Sequence, residues 1–168
     1  MLPDRLARFS LVVAVFATCV GCDQITKRIA RERLDGNPPR SFLADTVRLV
    51  YAENPGAFLG LGGQLPPRAR WVLLVAVNAG IAAGLVVVLF WHAEMSVVRA
   101  GACALLLAGA VGNLIDRVRF DGLVIDFLNL GVGPLRTGIF NVADVAITTG
   151  ALLLILPHVV RSKPLEPR

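Results

Sequence analysis

Two aspartates in the C-terminal third of the chain have the residue type and the neighbours needed for acid–base chemistry. Asp126 follows an apolar pair, and Asp144 closes the segment Phe140–Asp144. Asn141 precedes Asp144 by three positions, so both lie on one face if this segment is helical. The glycine-rich turn at Gly131–Pro134 lets the chain double back. The sequence therefore predicts that the two carboxyls meet where the last helix opens at a membrane surface.

Such a pair of carboxyls suits the hydrolysis of a peptide bond without a metal or a covalent intermediate. Two carboxyls in one site do not both ionise easily, so that one keeps its proton. The ionised group takes a proton from water, and the protonated group donates toward the scissile carbonyl oxygen. Because the pair titrates together, neither role is assigned to Asp126 or to Asp144. A structural hydrogen bond from Asp144 to another helix is the simpler alternative.

A second polar cluster, Asn113, Asp116 and Arg117, follows two glycines. On a helix these three residues share one face, and adjacent Asp116 and Arg117 are expected to compensate each other's charge. Gly109 and Gly112 permit a close approach of another helix. A polar seam that only holds helices together is the structural alternative.

Two further segments carry polar residues whose roles the sequence leaves open. Asp23 and Lys27 form an i, i+4 pair in the favourable order. An interfacial anchor, with Lys27 extending to the membrane surface, is the simpler interpretation. Glu53–Phe58 has the composition of a turn, in which Asn54 is either a turn former or a ligand contact.

The composition indicates what must position these residues. Of 168 residues, 55% are hydrophobic and only 17% are charged, whereas a soluble domain has about 25% charged residues. The mean hydropathy is +0.68. Long stretches without charge predict one integral membrane domain, residues 1–168, of the membrane all-α class with four transmembrane helices. We expect these spans at about 9–28, 71–91, 99–117 and 137–160.

The first loop, about 29–70, is the largest extramembrane segment expected. Val47–Tyr51 alternates like a strand, and glycines and prolines around it mark turns. The sequence therefore predicts a small strand-rich extracytoplasmic subdomain in this first loop, resting on the helix bundle.

The positive charge fits a membrane protein better than a nucleic-acid-binding one. The formal net charge is +5, but no stripe of Lys and Arg with interleaved aromatics exists, so we expect no nucleic acid. Loops one and three with their adjoining helix ends, residues 23–70 and 116–136, carry 11 of the 17 Lys and Arg. Counted alone, this bias would place both loops in the cytoplasm.

The N-terminus also has the layout of a lipoprotein signal peptide. Arg5 and Arg8 precede an apolar stretch that ends at Cys22. Three further hydrophobic runs follow, and Cys19 stands at the −3 position, where such signals favour Leu. We therefore expect this segment to remain as the first span.

Five motifs in this order make the chain resemble the lipoprotein signal peptidase (signal peptidase II) family. The resemblance covers roughly residues 9 to 160 and rests on these segments: Asp23–Lys27, Asn54–Phe58, Gly109–Arg117, Val124–Phe127 and Phe140–Asp144. One departure is Ala108, where the family often has a second glycine; it affects packing more than chemistry.

The resemblance implies a bacterial inner-membrane aspartyl endopeptidase that removes signal peptides just before a diacylglyceryl-modified cysteine. Asp126 and Asp144 match the catalytic pair. Other positions match polar residues that line or support the substrate site, namely Asn54, Asn113, Arg117 and Asn141. Structural or supporting roles are implied for Asp23, Lys27 and Asp116.

The resemblance also implies cytoplasmic termini and a dyad near the periplasmic face, against the charge count. We expect lipid-modified prolipoproteins as substrates, membrane lipids as surroundings, no cofactor or metal, and action as a monomer. The main alternatives are a transporter with a carboxyl relay through Asp116, Asp126 and Asp144, and a membrane scaffold held by polar helix contacts.

Overall fold

The computed structural model describes residues 2–56, 64–92 and 94–161. Within them the chain is mostly helical, with these helices: α1 (Leu2–Leu34), α2 (Pro67–Trp91), α3 (Val97–Arg119) and α4 (Val142–Arg161). Short strands lie between the helices: β1 (Arg40–Phe42), β2 (Val47–Asn54), β3 (Val124–Val132) and β4 (Leu135–Arg136). By length and apolar composition α1, α2 and α3 suffice to cross a membrane, whereas α4 contributes a shorter apolar helix, Val142–Leu156. The expected count of four spans therefore stays a prediction.

The helix boundaries follow from local sequence signals. Pro67 opens α2 at the first helical position, where its missing N–H removes no helical bond. Ser96 caps α3, its hydroxyl accepting from the Arg99 N–H at 3.4 Å. After α3, Asp121 and Gly122 take φ values of +51° and +90°, a left-handed conformation that ends the helix. This turn directs the chain from α3 into β3.

The central element of the bundle is α3, which packs against all three other helices. In its apolar window 56% of the residues are buried, against 6% in α1 and 11% in α2. Two glycines of α3 allow neighbouring helices to approach closely. A Cβ on Gly109 would lie 2.5 Å from Ile147 Cγ1 of α4, and one on Gly112 would lie 2.7 Å from Asp23 Oδ2 of α1. The predicted close approach at both glycines is confirmed.

The strands form one antiparallel sheet in the order β1-β2-β3-β4. Its helix-side core contains Ala30 and Leu34, on the last turns of α1, together with Phe127. Leu49 and Leu128 lie opposite each other in the β2–β3 ladder and pack against this core. The sheet therefore rests on the end of α1, as expected.

The prediction that the strand-rich part lies in the first loop alone is wrong. The predicted strand at Val47–Tyr51 is present within β2, but β3 and β4 come from the loop between α3 and α4. Residues Val124–Phe127 are buried on both faces, so they show no alternation, and such a run cannot be told from a helix end by periodicity.

The depth of Asp144 in the last helix also differs from the prediction. A last span beginning at about 137 would place Asp144 about two turns inside the helix. Because α4 begins at Val142, Asp144 lies in its first turn. Residues 137–141, expected within the last span, lie before α4, and Phe140 instead forms an isolated bridge with Leu128.

Candidate active site

Asp126 lies in β3, opposite Ala52 of β2, and is 2% exposed. Two side-chain amides donate to its carboxylate: Asn54 Nδ2 at 2.9 Å from Oδ2 and Asn141 Nδ2 at 2.7 Å from Oδ1. Asn54 is at the end of the neighbouring strand and Asn141 precedes α4. The position of this carboxyl is therefore set by β3 itself, by the end of β2 and by the segment before α4.

Asp144 and Asn141 bond to each other reciprocally at the start of α4. The Asp144 N–H donates to Asn141 Oδ1 at 2.9 Å, and the Asn141 N–H donates to Asp144 Oδ2 at 3.2 Å. This is the capping-box arrangement, with Asn141 as the cap and an aspartate at the third helical position. The half-buried Asp144 also accepts from Asn113 Nδ2 at 3.0 Å, from the facing helix α3.

Asn141 brings the two carboxyls into one site. It is fully buried, its Nδ2 donates to Asp126, and its Oδ1 and N–H bind Asp144. Its Nδ2 also lies 3.1 Å from Asn113 Oδ1. The predicted meeting of Asp126 and Asp144 is thus seen as a shared contact with one asparagine side chain.

A buried cluster around Lys27 supports this site. Lys27 Nζ is 2.9 Å from Asp23 Oδ2, 3.0 Å from Asp116 Oδ2 and 2.9 Å from Asn113 Oδ1. Lys27 is 2% exposed and both acids are 1% exposed. The expected i, i+4 pair with Asp23 is present, and the Lys27 side chain is buried between α1 and α3.

The two acids of this cluster hold the segments that carry the dyad. Asp23 Oδ1 accepts from the Ala143 N–H at 2.8 Å, and so adds to the capping of α4. Asp116 Oδ2 accepts from the Ile125 N–H at 3.1 Å, next to Asp126. Asp116 forms its ion pair with the lysine of α1, while the expected compensation between Asp116 and Arg117 is present as a charge interaction without direct pairing.

Arg117 instead connects α3 to the chain after β2. Its Nη2 donates to the Gly56 carbonyl at 3.0 Å, and its Nη1 donates to the Asn113 carbonyl at 3.4 Å. The guanidinium is buried, and its Nε has no partner among the described residues. A positive charge is thereby held beside the dyad without pairing directly with a carboxylate.

Of the two roles that the sequence left open for Asn54, the turn former is seen, and the contact with a ligand stays a prediction. The Oδ1 of Asn54 accepts from the Gly56 N–H at 2.9 Å, as in an Asx turn, while its Nδ2 binds Asp126. Of the motif Asn54–Phe58, Ala57 and Phe58 lie outside the described residues.

Burial dominates the electrostatics of Asp126. Desolvation, with a smaller effect of the neighbouring Asp144, raises the pKa of Asp126 to about 6, although the hydrogen bonds from Asn54 and Asn141 lower it. A carboxyl with this pKa exists in both protonation states near neutral pH, as general acid–base chemistry requires.

One residue in the site was missed as a functional contact. Gln24 Nε2 lies 3.2 Å from Asp23 Oδ2, 3.0 Å from Asp116 Oδ1 and 3.2 Å from the Gly112 carbonyl. Its position between the acid and the base of the motif Asp23–Lys27 was the available signal. Among the described residues no group of three or more His, Cys, Asp or Glu is placed to hold a metal ion.

Comparison with known proteins gives consistent matches over most of the chain. Residues 15–160 match the family model described as signal peptidase (SPase) II. A lipoprotein signal peptidase of Sphingopyxis alaskensis is 42% identical over 154 residues, which cover 88% of this chain and 83% of that protein. One of Mycobacterium avium is 35% identical over 156 residues, covering 89% and 79% respectively.

A solved structure, described as a bacterial membrane enzyme, shares the fold. It aligns with a TM-score of 0.76 and 26% identity over 94% of each chain. A second bacterial membrane enzyme structure aligns with a TM-score of 0.77 and 27% identity, covering 88% of this chain and 92% of the other.

Proposed function

Since the chain belongs to the signal peptidase II family of bacterial membrane proteases, we propose that it is an aspartyl endopeptidase that removes signal peptides from diacylglyceryl-modified prolipoproteins. The bond cleaved is the one just before the lipidated cysteine. The observation that carries this proposal is that Asp126 and Asp144 both bind Asn141 at the end of the helix bundle.

In the proposed reaction the two carboxyls share one proton. The ionised carboxylate removes a proton from a water molecule, whose oxygen attacks the scissile carbonyl carbon. The protonated carboxyl donates its proton to the carbonyl oxygen, which gives a neutral gem-diol. In the second step a carboxylate takes a proton from the diol, the other carboxyl gives one to the amide nitrogen, and the C–N bond breaks. Both carboxyls return to their starting states.

The amide side chains around the dyad serve to position it. Asn54, Asn113 and Asn141 together give each carboxylate two donors, so that the oxygens point in fixed directions while one of them still titrates. Negative charge accumulates in this region, because the buried acids Asp23 and Asp116 lie near the two acids of the dyad. Lys27 offsets these acids, and we propose that Arg117 stabilises the negative charge that develops on the dyad and the substrate carbonyl.

We propose that the chain spans the inner membrane four times, with both termini in the cytoplasm and the dyad near the periplasmic face. Because α4 starts at the dyad, its apolar length lies entirely on one side of Asp144. We propose that a lipidated cysteine, which sits at the membrane surface, reaches the dyad at this depth. We propose further that one copy of the chain suffices, because all groups of the dyad come from one chain.

The end of β2 offers a place for the substrate backbone. β1 pairs only with Val47–Leu49, so the edge of β2 from Val50 to Asn54 that faces away from β3 has no strand partner among the described residues. An extended signal peptide adding to this edge would be led to Asp126. Deleting residues from 47–58 is expected to impair processing while the helix bundle still folds; unchanged processing would argue against the clamp.

The proposed function is tested by cleavage of a lipidated prolipoprotein with purified protein in lipid. Asp126→Asn and Asp144→Asn are expected to abolish processing while the protein remains folded. Asp35→Asn, an exposed aspartate after α1, is the matched control and is expected to process normally. Normal turnover by either dyad variant would reject the mechanism. Lost ion flux with normal processing would favour the carboxyl relay instead.

A further inference from the structure

Most large apolar side chains that are exposed in the described structure lie on the helices, where lipid accounts for them. Outside the helices, the exposed ones are Leu65, before α2, and a group at the tip of the sheet. This group consists of Phe42, Leu43, Leu130, Val132 and Leu135. Three of these are highly exposed, with Leu43 at 76%, Val132 at 74% and Leu135 at 82%. In water such a patch costs free energy and promotes association.

The strand register places these side chains on one side of the sheet. Phe42 lies opposite Val47, and Val47 lies opposite Leu130. Opposite residues point to the same face, as do Leu130 and Val132, two positions apart. Val132 in turn lies opposite Leu135. We call this set, Phe42, Val47, Leu130, Val132 and Leu135, the distal face.

The distal face continues the apolar surface that already packs on α1. Leu128 is two positions before Leu130 and packs, with Leu49, on the core formed with Ala30 and Leu34. Beyond the end of α1 the same surface is exposed, at Leu130 and Val132. The opposite side of the sheet is polar there, with a row formed by Ser41, Arg48 and Asn129.

The turns at the tip are held rigidly by polar contacts around Asp45. Its carboxylate accepts from Ser41 Oγ at 2.7 Å and from Arg48, and its carbonyl accepts from Arg136 Nη1 at 2.8 Å. The bonds from Arg48 and Ser41 keep the pKa of Asp45 well below its usual range. These contacts hold Leu43, Ala44 and Asp45 at positive φ, an unfavourable conformation for residues other than glycine. Leu43 is thereby kept exposed beside the distal face.

We propose that the distal face, together with Leu43, inserts into the headgroup layer of the bilayer that the helices cross. The occupant of this surface is thus the lipid surface itself. The arginines of the tip divide between the two sides of the sheet. Arg48 and Arg136 bind Asp45 on the polar side, which leaves Arg40 as the cation for the lipid side. Arg40 lies in one cross-strand row with Leu49 and Leu128, so its guanidinium is placed on the lipid side of the sheet. Anionic headgroups attract such arginines.

The distance from Asp126 along β3 favours the bilayer, rather than the substrate of the proposed reaction, as the occupant of the distal face. Leu130 and Val132 follow Asp126 by four and six positions, which places them about 13 and 20 Å from it in an extended strand. The consequence is a sheet held at both ends, by α1 near the dyad and by lipid at the tip. This would fix the height of Asp126 relative to the membrane surface. It also gives the arginines in loops one and three a role outside the cytoplasm.

The proposal is tested by spin-label accessibility in vesicles of phosphatidylcholine and phosphatidylglycerol. Single labels are attached to Leu135→Cys and Val132→Cys in a full-length background in which Cys19, Cys22 and Cys103 are replaced by Ala. Asp35→Cys, exposed at the end of α1 and outside the sheet, is the matched control. We expect several-fold lower collision with a water-soluble nickel chelate, and higher collision with oxygen, at positions 132 and 135 than at 35.

Equal collision with the nickel chelate at positions 132, 135 and 35 would overturn the proposal. Protection accompanied by dipolar broadening between labels, growing with the protein-to-lipid ratio, would also overturn it and assign the surface to a second copy. Monodisperse elution in detergent shows that each labelled variant is folded, and two independent positions keep the test decisive if one variant is lost. Since it measures insertion alone, its outcome does not depend on whether the proposed peptidase activity is found.

Discussion

Replacing Lys27 with Met tests the buried cluster that supports the dyad. The ammonium makes three contacts of 2.9 to 3.0 Å, to Asp23, Asp116 and Asn113. Met has a similar length but no charge, so two carboxylates that are 1% exposed are left without their cation. Removing one partner of a buried ion pair costs about 3–5 kcal/mol. The apparent Tm should therefore fall by on the order of 10 °C.

The assay is the fraction of protein that remains monodisperse in detergent after heating across a temperature series. The matched control is Arg28→Met, the next residue of α1, whose ion pair with Glu32 is exposed and contributes little to stability. Adding Asp116→Asn to Lys27→Met should restore part of the loss, because it removes one unpaired charge. A Lys27→Met protein as stable as Arg28→Met would refute the reasoning that this cluster holds α1, α3 and the start of β3 together.

Three more outcomes follow from the same geometry. Gly112→Ala should destabilise the protein in the same heating assay, because its Cβ would lie 2.7 Å from Asp23 Oδ2, whereas Gly101→Ala, with nothing within 4 Å, should be neutral or stabilising. Asp126, with its pKa raised to about 6, favours its protonated form in the folded state. Its contribution to stability is therefore present below about pH 4, falls as the pH rises through 6, and disappears from the stability–pH profile in Asp126→Asn. Asn54→Ala removes a hydrogen bond that lowers the pKa of Asp126, so the alkaline limb of kcat/KM against pH should move upward; an unmoved limb would separate Asn54 from the dyad.

The family and the coarse architecture were predictable from the sequence. Uncharged stretches predict helices long enough for a membrane, and few charges within them can be tolerated unless they are functional. Asp126 and Asp144 were selected on that basis, and the prediction of the signal peptidase II family is confirmed. The mainly helical fold with a small antiparallel sheet is confirmed as well, while the topology and the catalytic roles stay proposals.

Other features depend on contacts between distant parts of the chain, which spacing does not show. The lysine of α1 pairs with Asp116 of α3, a partner that the spacing of Asp116 and Arg117 on one helix did not indicate. The bond from Arg117 to the Gly56 carbonyl joins segments that no periodicity relates. The pairing of β2 with β3 is equally non-local. For this reason the sequence did not show that two of the four strands come from the loop between α3 and α4.

The start of α4 is a different case, because a local signal was present. An asparagine followed three positions later by an acid, before an apolar run, is a helix-start signature. Read in this way, Asn141 and Asp144 would have placed the beginning of the helix at Val142. The same reading explains why an acid occurs so close to an apolar helix: it caps the helix and belongs to the dyad at once.

The central claim is that two carboxyls, positioned by one asparagine, carry out the hydrolysis. It is tested most directly by the single-turnover rate of signal-peptide release from a lipidated prolipoprotein, at equal concentrations of folded protein. Asp126→Asn and Asp144→Asn should each lower the rate by about 10²- to 10⁴-fold, the usual contribution of a general acid or base, with Asp35→Asn unchanged. A rate within a few-fold of the unsubstituted protein for either dyad variant would contradict the account.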